Sequence, residues 1–186
     1  MRRFTNPAVG ITVSLFLGCG EATSPAASTG SSERAASISA QAQATPSVIM
    51  MDACDPTTFN AAVGPGTCQR SGGMTFQQFI AELTRHHTVG AWHFAPPEFQ
   101  ASIGQTIEAR NQGGEGHSFT HVAAFGGGIV PVLNQLSGNL IVAPECQSVS
   151  DIVGPGGTDT ETLDQAGTQK FQCCIHPWMR ATVRVQ

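Results

Sequence analysis

The stretch FQCCIHPWMR, residues 171 to 180, constrains this chain more than any other. It sets two cysteines side by side, with His176 three residues after the first and Met179 three residues further on. Side chains alternate between faces along an extended strand, so Phe171 and Cys173 share one face and Gln172 and Cys174 the other. Phe171 belongs in a core, which turns Cys173 inward and Cys174 outward. Cys173, His176 and Met179 then put a thiolate, an imidazole and a thioether on one short loop. Soft sulfur donors combined with imidazole select copper, and a trigonal His₂Cys plane with a weak, long axial Met is the donor set of a one-electron copper centre. Zinc takes Cys, His and carboxylate ligands instead of thioether. The order CCIH excludes a C-x-x-C-H haem attachment. A second histidine has to come from elsewhere in the chain.

Six cysteines occur, at 19, 54, 68, 146, 173 and 174. Whether they pair depends on compartment. Arg2 and Arg3 precede the uncharged apolar run AVGITVSLFLG, residues 8 to 18. That run suits the centre of an export signal and falls short of the ~20 residues that span a bilayer. It ends in Gly18-Cys19, which resembles the lipobox of bacterial lipoproteins, with Phe16 where that family usually has Leu. The resemblance implies cleavage before Cys19 and lipidation of its thiol; the plain alternative is secretion with Cys19 discarded or unused. Export permits disulfides. With Cys19 set aside, five cysteines remain, and an odd count leaves one thiol for another task. Cys54 and Cys68 flank the turn-rich DPTTFNAAVGPGT and make a local pair. Cys146 needs Cys173 or Cys174, and strand alternation favours Cys174, reached from a covering loop. The alternative for Cys174 is a free, partly buried thiol.

Residues 1–18 are thus expected to be a lipoprotein-type signal and residues 19–47 a flexible tether. Ala, Ser and Thr dominate the tether and Ile38 is its only large apolar side chain, too little to offset the entropy of ordering it. As a random coil it reaches roughly 30 Å. Residues 48–186 form one domain. Loss of Arg2 and Arg3 takes Lys plus Arg from 9 to 7 against 13 acids, a net charge of −6, which speaks against a nucleic-acid partner.

Within the domain, Phe76, Phe79, Ile80 and Leu83 recur at helical spacing, and Thr75 with Gln78 has the spacing of a capping box. The segments AWHF (91 to 94), QTIEAR (105 to 110), HSFTHV (117 to 122) and ATVRV (181 to 185) read as strands, with Trp92 and Phe94 on one face and Ile107 and Ala109 inward. Turn formers such as Gly126-Gly127-Gly128 and Gly154-Pro155-Gly156-Gly157 separate them. Short strands with this punctuation indicate an all-β sandwich or barrel. Residues 126 to 167 read as a long Gly-rich connection with one strand around Leu140 to Ala143. A connection that long is functional or held down by something.

Cys-x-x-His-Pro-x-Met resembles the ligand loop of the cupredoxins, with the spacing found in amicyanin. The sequence EARNQGGEGHSF, with Asn111 and His117, is similar to the region that carries that family's earlier histidine. AWHFAPPEFQASIGQTIEARN resembles the first two strands of plastocyanin-like domains. The resemblance spans residues 89–125 and 168–186. It implies an eight-stranded Greek-key β-sandwich, from which this chain departs by one added N-terminal helix and a long insertion loop. It implies one type 1 copper ion held by His117, Cys173, His176 and Met179. It further implies that Ser118 hydrogen-bonds the ligand loop, that Asn111 supports the site, and that His176 presents an exposed ring edge as the route for electrons. Cys174 stands where the family more often has Thr or Ser.

The function so implied is a membrane-tethered electron carrier, not an enzyme, exported to face the periplasm or cell exterior. Its partners are redox proteins and the membrane, with no small-molecule substrate. An oxidase or nitrite reductase needs further coppers held by histidines flanking the cysteine, and Cys173 is flanked by Gln172 and Cys174. A copper-holding or sensing module has the same ligands. A metal-free interaction domain lacks a strong ligand, and none is lacking here. Of the other histidines, His121 shares a strand face with His117 and is a second-choice ligand, although an ordinary surface role suits it better. His86 and His87 are placed to meet the carbonyls at the helix end, and His93 points to solvent. Trp178 either packs on the ligand loop or forms an apolar docking patch.

Overall fold

Period-two burial runs through the strands and builds two facing sheets. In β1 (Ser47–Met51) Val48 and Met50 are buried; in β4 (Thr106–Asn111) Ile107, Ala109 and Asn111 are. The other strands are β2 (His93–Ala95), β3 (Glu98–Ala101), β5 (Thr120–Val122), β6 (Thr158–Thr162), β7 (Gly167–Gln172) and β8 (Arg180–Val185). One sheet has the order β2-β1-β4-β6 and the other β3-β8-β7-β5. β1 runs parallel to β4 and β3 parallel to β8, while the remaining neighbours are antiparallel. Between the sheets Phe171 of β7 stacks on Phe119 at 4.5 Å, and Phe94 meets Phe119 edge-on at 5.3 Å. Ala181, Val183 and Val185 of β8 complete this face. Burying each large apolar side chain of this kind stabilises the fold by roughly 1.5–3 kcal/mol. This computed structural model describes residues 45–148 and 151–186. The expected signal, Cys19 and all but the end of the expected tether lie outside the described residues. Among the described residues no helix is long and apolar enough to cross a membrane.

The expected β-sandwich is present, with three differences in its parts. First, the segment ahead of Trp92 is not an appendage. β1 lies centrally, between β2 and β4, and begins at Ser47. Second, among the described residues two helices precede β2 instead of one. α2 (Phe76–His86) has the anticipated capping box. α1 (Pro56–Ala62) forms inside the presumed turn-rich loop, because the Asp55 carboxylate accepts from Thr58 N at 2.9 Å, Pro56 occupies the first turn and Phe59 is buried. Phe59 packs edge-on to Phe76 and Phe79 at 5.3 and 5.5 Å and stacks on Trp92 at 5.7 Å. Third, the insertion is largely structured. It holds α3 (Pro131–Ser137), a 3₁₀ helix (Pro144–Ser148) and β6. The strand expected at Leu140 to Ala143 is absent: only Val142 makes a bridge, to Gly127, and Leu140 and Ile141 are exposed with no strand to pair with. α3 stops at Gly138, whose φ of 72° is left-handed.

Candidate metal centre

Cys173 follows the last residue of β7, and the chain then folds back tightly into β8. Cys173 N–H donates to Met179 O at 3.0 Å and Met179 N–H to His176 O at 2.9 Å, so residues 173–179 form a closed loop. His117 reaches the same place from the β4–β5 connection, where it exchanges backbone hydrogen bonds with Val153 of the insertion at 3.1 and 2.7 Å. The strand expected over residues 117 to 122 is regular only from Thr120 onward, and His117 makes an isolated antiparallel bridge to Val153. His117 Nδ1 lies 3.9 Å and His176 Nδ1 3.8 Å from Cys173 Sγ. The three donor atoms fall within 4.8 Å of one another, and all three residues are buried. Bond lengths of about 2.3 Å to sulfur and about 2.0 Å to nitrogen, opened to ~120°, separate S and N by ~3.7 Å. A first-row metal ion therefore fits between these atoms. Met179, at the end of the loop, is fully buried.

The sulfur is prepared as a thiolate. Burial alone raises the Cys173 pKa, but hydrogen bonding and charge from His117 and His176 outweigh it and hold the thiol well below its ordinary value. Two backbone N–H groups also point at Sγ, from Ser118 at 3.5 Å and His176 at 3.4 Å. The Ser118 hydroxyl accepts from Cys174 N–H at 2.8 Å and so ties the His117 segment to the ligand loop. Asn111 touches none of the three donors. Its Nδ2 donates to Glu115 O and Val153 O, each at 2.7 Å, and its Oδ1 accepts from Gly113 N–H, which braces the turn leading to His117.

Cys54 and Cys68 form one disulfide and Cys146 and Cys174 another, and Cys173 is the free cysteine of the described residues. The insertion lies flat on the outward side of β7. Gln172 accepts from Gly126 N–H at 2.9 Å, and Ile129 N–H donates to Cys174 O at 2.7 Å. A Cβ on Gly128 would sit 1.9 Å from Cys174 O, so only glycine allows this approach.

Two carboxylates that sequence reasoning missed stand behind the histidines. Asp52, just after β1, places Oδ2 2.9 Å from His117 Nε2, and neither side chain is exposed. Glu115 Oε2 accepts from Trp92 Nε1–H at 2.7 Å and lies 3.5 Å from His176 Nε2. Asp52 fits because Gly113 has no side chain: a Cβ there would lie 2.0 Å from Asp52 Oδ2. Burial opposes the ionised form of Asp52, but hydrogen bonds from His117 and from the backbone N–H groups of Glu115 and Gly114 take it down to about 2. Burial likewise opposes charge on His117, and its bonds to Asp52 and Cys173 override that and lift it to about 9. Burial raises Glu115, partly countered by His176 and Trp92. Nothing in the residues around Asp52 marks it, since its partner lies 65 positions away. Glu115 was within reach of sequence reasoning, as the acid of a Gly-rich turn two residues before His117.

His176 differs from the expectation of an exposed ring edge. It is 3% exposed, with Trp178 and Trp92 at 5.5 and 6.4 Å between ring centroids and Glu115 against Nε2. The α1–α2 segment backs these two indoles: Phe59 and Phe79 pack on Trp92, and Phe79 on Trp178. Trp178 packs on the loop and lies 5.9 Å from Phe79. His121 is exposed, 5.2 Å from the Phe171 ring, and is not one of the three grouped donors. The face it was to share with His117 is lost because the strand does not extend back to residue 117. The His87 ring contacts Leu136 O in α3 at 2.7 Å instead of the α2 carbonyls, while its backbone N–H caps α2 at Leu83 O. His86 is exposed. His93 is exposed, with Nδ1 3.0 Å from Gly90 O.

A family model of copper binding proteins, the plastocyanin/azurin family, matches residues 81–186. No curated protein sequence matches the chain. Among solved structures, a purple cupredoxin from Nitrosopumilus maritimus is 16% identical, covering 76% of this chain and 99% of that one, at a TM-score of 0.41. A copper(I) form of an amicyanin variant is 21% identical, covering 50% of this chain and 73% of that one, at 0.35. A reduced amicyanin variant is 21% identical, covering 53% and 78%, at 0.37.

Proposed function

From the premise that this chain belongs to the copper-binding plastocyanin/azurin family, we propose that it is a single-copper, type 1 electron carrier tethered to a membrane by a lipid on Cys19. The observation that carries this reading is the buried triangle of His117 Nδ1, His176 Nδ1 and Cys173 Sγ, with sulfur–nitrogen spacings of 3.9 and 3.8 Å. Its donor set is the one copper prefers. Copper held there supplies one-electron chemistry by passing between its two oxidation states. Cys173 provides the thiolate, steadied by the Ser118 and His176 backbone N–H groups. His117 and His176 would provide imidazole nitrogens, and Met179 a weak thioether donor. Hydrogen bonds within 173–179 and from Ser118 to Cys174 hold these residues in one arrangement, so little rearrangement accompanies a change of charge. Electrons pass to and from redox protein partners.

Cys174 is locked in a disulfide and Gln172 in contacts to Gly126, so neither residue flanking Cys173 offers a ligand for a second copper. A copper-holding or sensing role is the second reading, favoured by the burial of His176 beneath Trp92 and Trp178. A very slow electron self-exchange rate separates it from the first.

The test is visible absorption and paramagnetic resonance of the purified protein after copper(II) addition. An intense thiolate-to-copper band is expected, and its absence overturns the electron-carrier reading. For the tether, the expected result is a membrane-fraction protein whose intact mass shows acylation at Cys19. A lipid-free N-terminus at another residue overturns the anchor.

A further inference from the structure

We propose that Asp52 and Glu115 are positioning residues that fix the two histidines and poise the site toward divalent copper, giving it a lower reduction potential than the ligands alone set. The proposal rests on the copper reading above and deepens it.

Both imidazoles turn Nδ1 toward Cys173, which leaves each Nε2 to be satisfied from behind. Asp52 Oδ2 takes that place for His117 at 2.9 Å, inside a region from which water is excluded. Asp52 is itself held in position, because Oδ2 also accepts from Glu115 N–H at 2.9 Å and Oδ1 from Cys54 N–H at 3.1 Å. Glu115 Oε2 stands behind His176 Nε2 at 3.5 Å, as a charge contact longer than a hydrogen bond, and is anchored by the Trp92 indole at 2.7 Å. A carboxylate that accepts from Nε2–H fixes the tautomer with the Nδ1 lone pair free, orients the ring and makes Nδ1 a stronger donor. Stronger donation and nearby negative charge favour the more highly charged ion, because interactions in a poorly solvated region are weakly screened. The two carboxylates reach the histidines from different parts of the chain, one after β1 and one in the turn before His117, and the Glu115 backbone links them.

The experiment compares the full chain with Asp52→Asn, Glu115→Gln and the double variant. Copper(I) and copper(II) affinities are measured by chelator competition, and the potential by spectroelectrochemistry. Asp52→Asn is expected to lower copper(II) affinity about 10–100-fold, the usual loss on removing such a support. Copper(I) affinity falls less, so the potential rises. Glu115→Gln shifts the potential the same way by a smaller amount, as its longer contact requires. A brace that acted only on folding would weaken both oxidation states alike and leave the potential where it was. Unchanged potentials in both variants, in a protein whose wild type shows the thiolate-to-copper band, overturn this proposal alone. Where circular dichroism shows that Asp52→Asn does not fold, Glu115→Gln decides, and an unchanged potential there overturns it. A wild type without the band overturns the copper reading and this proposal with it.

Discussion

Cys173 and Cys174 are joined by one peptide bond yet serve opposite sides of β7: the sulfur of the first lies 3.8 and 3.9 Å from two imidazole nitrogens, and that of the second is bonded to Cys146. Strand alternation alone separates them. The inner side holds a thiolate between histidines, and the outer side holds a cross-link under the insertion.

The two should respond differently to the same substitution. Cys173→Ser replaces a soft thiolate with a hard hydroxyl, so the thiolate-to-copper band vanishes while the fold persists. Cys174→Ser keeps the band and lowers stability by about 2–4 kcal/mol in denaturant titrations, through loss of a bridge between residues 28 apart. Cys146→Ser gives the same loss, and the double variant adds little, because both changes break one bond. A band that survives Cys173→Ser and disappears in Cys174→Ser reverses the assignment.

Met179 is buried at the end of the ligand loop. Met179→Leu keeps nearly the same volume and removes a weak donor to the oxidised metal. Copper and colour should be retained and the potential should rise. A fall in potential on spectroelectrochemistry removes Met179 from the ligand set.

His117 and His121 are separated by burial. His117→Ala should abolish the blue site and also strand the buried Asp52 carboxylate, destabilising the metal-free protein by about 3 kcal/mol or more. The exposed His121→Ala should change neither absorption nor urea midpoint. The opposite pattern makes His121 the ligand.

Asp55 caps α1, and its bonds from the Thr58 hydroxyl and N–H hold its carboxyl below the ordinary 3.8. A depressed carboxylate pKa contributes stability that is present above 3.8 and lost as pH falls through the lowered value. The urea midpoint of Asp55→Ala should therefore lie below that of the wild type at pH 7, and the gap should narrow in acid. A gap that widens below pH 4 contradicts the assignment.

Much of the inner architecture was legible because local patterns carried it. Alternation marked Ile107, Ala109, Phe171 and Cys173 as inward, and the Thr75–Gln78 box marked the start of α2. What stayed hidden depends on contacts between distant residues. Asp52 has no local signature, since its meaning comes from His117 65 positions later. α1 escaped because a seven-residue helix is shorter than hydrophobic periodicity can register, and its support comes from Phe59 packing among Phe76, Phe79 and Trp92. The covering of His176 by Trp92 and Trp178 depends on the same cluster, since Phe59 and Phe79 pack on those indoles.

Among the described residues β3 pairs only with β8, along the register Glu98↔Thr182 to Ala101↔Val185. Pairings between such distant segments are slow to form, because loop closure precedes any reward. Until β8 pairs, β3 has no neighbour in its sheet and β7 lacks one on the side that β8 fills. The loop bearing Cys173 and His176 then has only one of its two strands to hold it. Both thiols thus precede β8 along the chain, and the pairing of Arg180–Val185 with β7 acts as a latch that holds one of two adjacent sulfurs toward the imidazoles and the other toward Cys146.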